Sequence, residues 1–517
     1  MHWADVIAKE VADSCEKPLI ATGISPSGTI HVGSLREAIT GESIRSAVEG
    51  LGKDVRMIYL IDSFDQLKKR SDFLPAWYEE HVGKPISQIP CPCGKHENYA
   101  HHFVQPFLDA VDSLKVKCEI VWTHKLYEEG AFAKAIDLCF NKREEIIRIL
   151  HEVSGREAKG TYAPYNPVCK KCGRFTNPIF ESYSYPTVEY NCSCGYHGVA
   201  DITKGDGKLT WRLEWPAKWM IFGTSAEPFG KDHAAAGGSY DTGKRIAEEI
   251  YGIKAPYPIP YEFVQLKGVG QMHKSTGSSV TGMDAINMTP PEVVNYLFLR
   301  VNPTKAIDYD PGIGVVEMAD EYDRVERLFF ENKFTDAEAS SVEAYRVAQH
   351  NHVPKKLPLQ IPYRHLVNVA QMTDSFENAV EVLSRTIDMS EATDEDLQRI
   401  KKRIECVRYW LNGFAPDNVK FSVFPLIPPC TVITMGDKAF FQKLVEKMND
   451  ASWDADTISQ IISDTGKDSA IGLKAGFKII YQVLIGKDAG PRLGPFLASM
   501  DKQFVINRFV QASRYGS

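Results

Sequence analysis

Two glycine-containing loops hold the residues whose types and spacing could do phosphate chemistry. The first, SPSGTIHVGS at 25–34, follows an apolar run at 18–24 and precedes a helical pattern that begins at Leu35. Backbone N–H groups at a helix start bind anionic phosphate well. His31 and Ser34 are three residues apart, so they share one side of the first turn, where the histidine can donate to a phosphate oxygen. A capped helix start with a structural histidine is the alternative interpretation.

The second loop, GVGQMHKSTGSSV at 268–280, contains one lysine, several hydroxyl residues and no acidic residue. These types suit a mobile anion-binding loop, with Lys274 as the cation and Ser275 and Thr276 as hydrogen-bond donors. The order of glycine and lysine is not that of a Walker loop. A solvated linker is the alternative interpretation of this segment taken alone.

Four cysteines in two close pairs indicate a structural metal site. Cys169 and Cys172 are separated by two residues, Cys192 and Cys194 by one, and 19 residues lie between the pairs. Four thiolates satisfy tetrahedral Zn²⁺ and leave no open position, so the predicted role is structural, as in a zinc ribbon.

A second group, Cys91, Cys93, His96 and His102, has ligand types that suit another Zn²⁺ ion. His101 competes with His102 for the fourth position. An irregular loop with polar histidines is the alternative, so the sequence predicts one structural zinc ion or two.

Composition favours an ordinary globular enzyme over a nucleic-acid packaging protein. The chain has 517 residues, a net charge of −7 and 11 cysteines, an odd number that argues against a disulfide framework. No apolar run reaches the roughly 18–20 residues that a membrane span needs. The first residues, MHWADVIAKE, lack the apolar stretch of a signal peptide. We therefore expect a cytoplasmic protein with no membrane segment.

The order of apolar patterns predicts a Rossmann-like α/β domain that carries an insertion. Runs at 18–24 and 55–62 read as buried strands on either side of the helix that starts at Leu35. Cysteine, histidine and proline concentrate between about 85 and 205, with helical stretches at 103–116 and 131–154. The α/β pattern resumes near 206 and includes a strand at 258–266. From 336 onwards only helical periodicity is present, which predicts a separate all-α domain.

Together the two loops resemble the signatures of class I aminoacyl-tRNA synthetases. HVGS resembles the family's HIGH motif, and QMHKS at 271–275 resembles its KMSKS motif. LTWRLEWPAKW, FGKDH and PPEVVNYLFLRVNPTKAIDYDPG are similar to the lysine-specific class I members. The likeness covers about residues 15–330. Gln271 and His273 depart from the family's lysine and serine, so a weaker or pH-sensitive activation step is expected.

The resemblance implies that the chain uses ATP with Mg²⁺ to activate L-lysine and then loads it onto tRNA(Lys). Catalysis would consist of positioning and of stabilising charge on phosphate oxygens, without a protein nucleophile. The implied catalytic residues are His31, Ser34, Lys274 and Ser275. Those implied for ATP are Ser27, Gly28, His31, Gly33, Asp232, Gly237, Met272 and Lys274. Those implied for the amino acid are Ser25, Glu37, Trp219, Phe222 and His233. For the lysine ammonium, Glu37 and Asp62 both remain open.

The resemblance also divides the chain into functional segments. We expect the two halves of the catalytic domain at 1–90 and 206–290, and a zinc-binding insertion that faces the tRNA acceptor end at 91–205. A stem-contact connection is expected at 291–330 and a helical anticodon-binding domain at 331–517. A monomer is expected.

Three other functions remain open. One is a class I synthetase for glutamate or glutamine, and a second is a catalytically weakened, zinc-ribbon tRNA-binding paralogue, which Gln271 keeps in play. A third is a small-molecule nucleotidyltransferase, for which the helical tail and the two-cluster insertion would be unnecessary.

Overall fold

The computed structural model describes residues 1–155, 162–176, 179–268, 270–271 and 280–516, with 179–181 and 270–271 described by their backbone. The described chain forms two compact units. The N-terminal unit comprises Met1–Ile286, Pro291–Tyr309 and Leu328–Lys355. The helical unit comprises Asn287–Pro290, Asp310–Arg327 and Lys356–Ser517.

The strands of the described chain all lie in the N-terminal unit. In chain order they are β1 Leu19–Ile24, β2 Arg56–Ile61, β3 Glu119–Trp122, β4 Tyr165–Pro167, β5 Ile179–Ser184, β6 Thr187–Asn191, β7 His197–Asp201, β8 Gly207–Leu209, β9 Ala226–Gly230, β10 Tyr257–Tyr261, β11 Val264–Leu266, β12 Gly270–Gln271 and β13 Ile307–Tyr309.

Helices occur in both units. They are α1 Trp3–Ser14, α2 Leu35–Gly50, α3 Tyr99–Ser113, α4 Thr123–Glu128, α5 Ala133–Asn141, α6 Arg143–Ser154, α7 Trp211–Phe222, α8 Ser239–Arg245, α9 Gly282–Met288, α10 Pro291–Leu299, α11 Gly314–Glu331, α12 Ala339–Ala348, α13 Tyr363–Met372, α14 Phe376–Ser384, α15 Asp394–Gly413, α16 Met435–Asn449, α17 Ala455–Lys467, α18 Gly472–Ile485, α19 Leu493–Ala498 and α20 Lys502–Ser513. No helix of the described residues is both long and apolar enough to cross a bilayer.

A five-stranded parallel sheet forms the centre of the N-terminal unit, in the order β10-β9-β1-β2-β3. The chain leaves β1 through α2 towards β2 on one side, whereas β9 and β10 build the sheet on the other. The carboxyl ends of β1 and β9 therefore border a topological switch point, which is where open α/β sheets bind ligands. The predicted Rossmann-like class is confirmed.

The segment between β3 and β9 builds the two smaller antiparallel sheets, β5-β6-β7 and β4-β8. Its core joins residues of α5 and α6 to Tyr165, Tyr190 and Leu209. The helical stretch expected at 131–154 is two helices, which meet at Lys142. The stretch expected at 103–116 begins earlier, at Tyr99, because the Asn98 side chain accepts from the His101 amide and caps α3.

The strand predicted at 258–266 is wrong as a single element. β10 ends at Tyr261 and belongs to the main sheet, whereas β11 begins at Val264 and pairs with β13. The buried Arg36 guanidinium occupies the break and donates to the backbone carbonyls of Glu262 (2.7 Å) and Lys305 (2.7 Å). The bond to Glu262 satisfies a carbonyl that a continuous strand would have paired within one sheet.

The helical unit confirms the predicted α-helical C-terminal region. Helices α15 and α16 each begin with a capping box, formed by Thr393 with Asp396 and by Thr434 with Asp437. A buried ion pair lies within this unit, where Arg403 of α15 donates to both carboxylate oxygens of Asp323 at 2.8 and 2.7 Å. Arg403 is therefore a structural residue of the core.

Replacing Arg403 by alanine is expected to destabilise the helical unit by about 3–5 kcal/mol, because the buried Asp323 carboxylate would lose two close charged hydrogen bonds and retain Arg399 at 3.7 Å. Hydrogen exchange of the α15 amides measures this loss directly. Lys401→Ala, an exposed position on the same helix, is the matched control and is expected to change exchange by no more than about 0.5 kcal/mol. Equal protection in the two variants would contradict the prediction.

Candidate functional site

A cleft of about 420 Å³ lies at the switch point of the parallel sheet. The ends of β1, β9 and β10, the start of α2 and the first turns of α7 enclose it. Its lining consists of Thr22, Gly23, His31, Gly33, Ser34, Glu37, Trp211, Trp215, Glu227, Pro228, Phe229, Gly230, Asp232, His233, Tyr261, Glu262, Phe263 and Val264.

The first predicted loop borders this cleft as a helix start. A 3₁₀ turn at Val32–Ser34 leads directly into α2, and His31 precedes it in extended conformation. His31, Gly33 and Ser34 all line the cleft. A Cβ atom at Gly33 would lie 2.9 Å from the His31 ring, so a larger residue here would displace the histidine. The loop thus presents a histidine and a helix start to the same cavity.

The second predicted loop lies mostly outside the described residues, as do Met272, Lys274 and Ser275. Its C-terminal end, at Val280, is close to the first loop. The Val32 amide donates to the Val280 carbonyl at 2.8 Å, and His31 forms a bridge with Thr281. The chain that leaves the second loop therefore runs directly beside His31.

The buried carboxylate of Glu37 faces the cleft and is held by two phenols. The Tyr261 hydroxyl donates to one oxygen at 2.7 Å, and the Tyr59 hydroxyl donates to the other. Burial and the neighbouring carboxylate raise the pKa of both tyrosines well above their usual value, so both remain donors.

Glu227 is a second buried carboxylate of the cleft, and the sequence did not single it out. It lies on β9 and accepts from the indole N–H of Trp215 at 2.9 Å and from that of Trp219. The two indoles are four residues apart on α7, so both face the same strand. The spacing of the tryptophans was a visible signal, but their partner strand could not be read from it.

Burial raises the pKa of Glu227 to about 7, although both indole hydrogen bonds and nearby Lys218 favour the ionised form and Asp62 opposes it. Between the unfolded pKa, near 4.5, and about 7, the folded chain binds more protons than the unfolded chain. The free energy of unfolding therefore falls as pH rises through this window.

The difference in free energy of unfolding between Glu227→Gln and the parent chain is expected to shift in favour of Glu227→Gln by about 2–3 kcal/mol as pH rises from 4.5 to 7.5. The reason is that the substitution removes this proton linkage. Thermal unfolding of both proteins across that pH range provides the measurement. If the unfolding temperatures of the two proteins change in parallel at all pH values, the linkage is refuted.

The residues predicted for the amino acid divide between cleft and core. His233 lines the cleft and packs its ring 5.3 Å from that of Trp215. Trp219 is buried and reaches the cleft only through Glu227, while Phe222 packs on the β1 and β2 residues Leu19 and Ile58. The aromatic residues that line the cleft are Trp211, Trp215, Phe229, Tyr261 and Phe263.

Asp62 does not line the cleft, and its carboxylate forms an ion pair with Lys218. The pair belongs to a buried network in which Lys208 lies 2.6 Å from Asp65 and 2.8 Å from Glu214. Burial raises the pKa of Asp62 to about 6, against the opposing effect of Lys218. The network fixes α7 and β8 to the carboxyl end of β2.

Of the remaining residues predicted to bind ATP or the amino acid, only some line the cleft. Asp232 lines it, whereas Ser25, Ser27, Gly28 and Gly237 do not. The Ser27 carbonyl accepts from the Tyr99 hydroxyl at 3.0 Å, which fixes the turn before His31. Gly237 has a φ of +72°, and a Cβ there would lie 2.7 Å from the Val153 carbonyl, so glycine is required for backbone reasons.

The four predicted thiols meet in one cluster. Cys169 and Cys194 lie 3.7 Å apart between their sulfurs, as do Cys172 and Cys192. Sulfurs around tetrahedral zinc, with bonds of about 2.3 Å, are separated by about 3.8 Å. All four ligand atoms lie within 4.8 Å of one another, so the donor set fits zinc.

The second cluster also assembles, and it uses His102 in place of His101. The Cys91 and Cys93 sulfurs lie 3.5 Å apart, and Cys93 lies 3.4 Å from His96 Nδ1 and 3.3 Å from His102 Nδ1. His101 points away and stacks on Trp122 at 3.8 Å. Two thiols and two imidazoles at these distances fit a second tetrahedral ion.

This fold and site, with a helix start and buried carboxylates at the switch point of a parallel sheet, are those of a nucleotide-using α/β enzyme. Residues 1–351 match the family described as tRNA synthetases class I (K). The chain therefore belongs to the tRNA synthetases class I (K), and it is an aminoacyl-tRNA synthetase.

Curated relatives match the chain over nearly its full length. The lysine--tRNA ligase of Thermoplasma volcanium is 40% identical over 98% of this chain and 98% of its own. Lysine--tRNA ligase 1 of Methanosarcina acetivorans is 39% identical over 100% and 99%, and the lysine--tRNA ligase of Methanocaldococcus jannaschii is 35% identical over 98% and 99%. Among solved structures, a glutamate tRNA ligase from Elizabethkingia meningosepticum aligns with a TM-score of 0.45 and 12% identity over 97% of this chain and 100% of its own.

Proposed function

We propose that this chain activates L-lysine with ATP and transfers it to tRNA(Lys). The observation that carries the proposal is the full-length similarity, at 35–40% identity, to relatives named lysine--tRNA ligase. The cleft supports it chemically, because a cationic amino acid needs carboxylates and two buried ones line the cavity.

The proposed reaction has two steps. An oxygen of the lysine carboxylate attacks the α-phosphorus of ATP, forms a mixed anhydride, and pyrophosphate leaves as the bond between the α-phosphorus and its bridging oxygen breaks. A ribose hydroxyl at the 3′ end of tRNA then attacks the anhydride carbonyl, and AMP leaves. Mg²⁺ enters with ATP as part of the substrate.

The residues proposed for the phosphates are those at the first loop. His31 and the backbone N–H groups of the helix start at Gly33 and Ser34 would face the developing phosphate charge. Asp232 lies at the same rim. For Lys274 and Ser275 the proposal rests on the sequence motif, in which the lysine meets the leaving pyrophosphate.

For the amino acid, Glu37 and Glu227 are proposed as the partners of the two ammonium groups of lysine. Each carboxylate accepts from neutral donors, Glu37 from two phenols and Glu227 from two indoles. A buried carboxylate that lines a cavity favours a cationic ligand, since the positive charge offsets the cost of desolvating the negative one.

The other parts of the chain are proposed to serve tRNA. The cysteine-rich insertion would contact the acceptor end, and the helical unit would hold the anticodon stem-loop. We also propose a cytoplasmic monomer. Zinc in both clusters would order the insertion, since closed four-ligand sites contribute folding free energy.

Elemental analysis is expected to find two zinc ions per chain. Cys192→Ser should retain about one, because each cluster binds its own ion with four ligands. Cys430→Ser, at an exposed cysteine outside both clusters, is the control and should retain two. One ion in the parent chain would contradict the second site, and none would contradict both.

ATP–pyrophosphate exchange tests the proposed activity. Lysine, glutamate and glutamine are each supplied with and without total tRNA, because members of this subgroup are expected to need tRNA before activation. Exchange with lysine alone, lost in Lys274→Ala, is the expected result. Exchange with glutamate or glutamine would overturn the assignment of lysine as the substrate. No exchange from a folded, zinc-loaded chain that binds tRNA would overturn the proposed activity and favour the tRNA-binding paralogue.

A further inference from the structure

A cavity of about 750 Å³ lies inside the helical unit, and it shares no lining residue with the catalytic cleft. The start of α13, the segment 418–421 and the turn 487–492 form its walls. Its volume lies in the range of about 300–1,000 Å³ that is usual for small-ligand pockets.

The lining of this cavity is cationic. It contains Arg364, Lys420, Lys487 and Arg492, and none of its lining residues, all of them in the described chain, carries a carboxylate. This is unexpected in a chain with a net charge of −7. The arrangement therefore favours an anionic ligand.

The acidic neighbours of these cations lie outside the lining. Asp320 accepts from Arg364 at 3.2 Å, and the fully exposed Asp417 lies 3.6 Å from Lys420. Exposed pairs of this kind contribute about 0–1 kcal/mol, so they exchange readily for a ligand phosphate. Lys487 has a second role, since it donates to the backbone carbonyls of Asp417 (3.1 Å) and Lys420 (2.5 Å) and fixes that segment.

Polar and apolar groups alternate with the cations. Asn368 and Asn418, which carry side-chain amides, line the cavity together with Val367, Ile387 and Phe421. Amides offer both donors and acceptors, as does the edge of a nucleobase. Outside the lining, Phe424 is 40% exposed, and its ring lies beside Gly486, the residue before Lys487. An exposed, anchored ring is a stacking surface for a base.

We infer that this cavity takes one unstacked nucleotide of the tRNA anticodon loop, with the base against the apolar wall and amides and the phosphate at the cations. Paired RNA cannot enter a cavity of this size, whereas loop nucleotides can turn outward and be bound singly. The inference rests on the proposed function, and it names the part of the helical unit that would read the loop.

The test uses the full chain and two fluorescent RNAs, an anticodon stem-loop of tRNA(Lys) and an acceptor-stem minihelix. Arg492→Ala and Asn368→Ala are each expected to weaken stem-loop binding about tenfold, as loss of a charged or buried hydrogen bond does. Binding of the minihelix should not change. Arg492→Ala should also lower the salt dependence of stem-loop binding by about one phosphate contact, whereas Asn368→Ala should not.

Lys443→Ala removes one exposed cation from α16, away from the cavity lining, and is the matched control. Crosslinking of a 4-thiouridine placed in the loop to peptides 418–421 or 487–492 supports the inference without relying on a variant. Unchanged stem-loop affinity in both variants, or crosslinks to other peptides, would overturn the inference. Binding of free UMP without binding of the stem-loop would also overturn it. Failure of the parent chain to charge tRNA, with these RNA results intact, would overturn the proposed activity alone.

Discussion

Glu37→Gln is expected to lower kcat/KM for lysine in ATP–pyrophosphate exchange by about 10²–10³-fold. The substitution keeps the shape of the side chain but removes the charge that faces a lysine ammonium, and breaking one half of a desolvated ion pair costs about 2–5 kcal/mol. Tyr59 and Tyr261 would also compete for one remaining carbonyl acceptor. Most of the loss should appear in KM, because the contact exists before the reaction begins.

Norleucine, which lacks the ε-ammonium, determines which ammonium each carboxylate binds. The variant that loses activity with lysine but not with norleucine marks the carboxylate that binds the side chain. The variant that loses both marks the one at the α-ammonium. Glu10→Gln, on the exposed face of α1, is the matched control. A Glu37→Gln enzyme with parental KM for lysine would exclude Glu37 from the amino-acid site.

His31→Ala is expected to lower kcat for adenylate formation by about 10²–10³-fold with little change in KM for lysine. The reason is that a donor facing charge in the transition state contributes little to ground-state binding. Quench-flow measurement of adenylate formation separates this step from tRNA transfer. Although Gly33 packs against the His31 ring, loss of the ring leaves the α2 backbone intact, so the fold should be unaffected.

His31→Asn retains a side-chain donor and should recover part of the rate. Ser34→Ala should lose much less, because the helix-start N–H groups remain. A His31→Ala enzyme that matches the parent in kcat would assign His31 a structural role only.

Local patterns predicted the elements around the first loop well. The runs at 18–24 and 55–62 are β1 and β2, and the helix begins at Leu35 as its periodicity indicated. The metal clusters were also predictable, because ligands that are close in sequence have few ways to separate in space. Only the choice of His102 over His101 required the structure, since neighbouring helical residues point about 100° apart.

The parts that sequence could not predict depend on pairing between distant segments. Glu227 became a site residue because α7 places two indoles over β9, a relation that no local pattern records. Trp219 and Phe222 face the core for the same reason. Arg403 is likewise buried because Asp323 lies opposite it in the helical unit, which no local pattern indicates.

The central position of β1 has a consequence for synthesis of the chain on the ribosome. One edge of β1 pairs with β2 early, but its other neighbour, β9, begins about 200 residues later, as the bond between Leu19 and Ser225 shows. At about 5–20 residues per second, that open strand edge persists for roughly 10–40 s. An apolar unpaired edge recruits other strands. Nascent chains of this protein should therefore need protection until residue 230 has emerged, and truncations that end before β9 should aggregate.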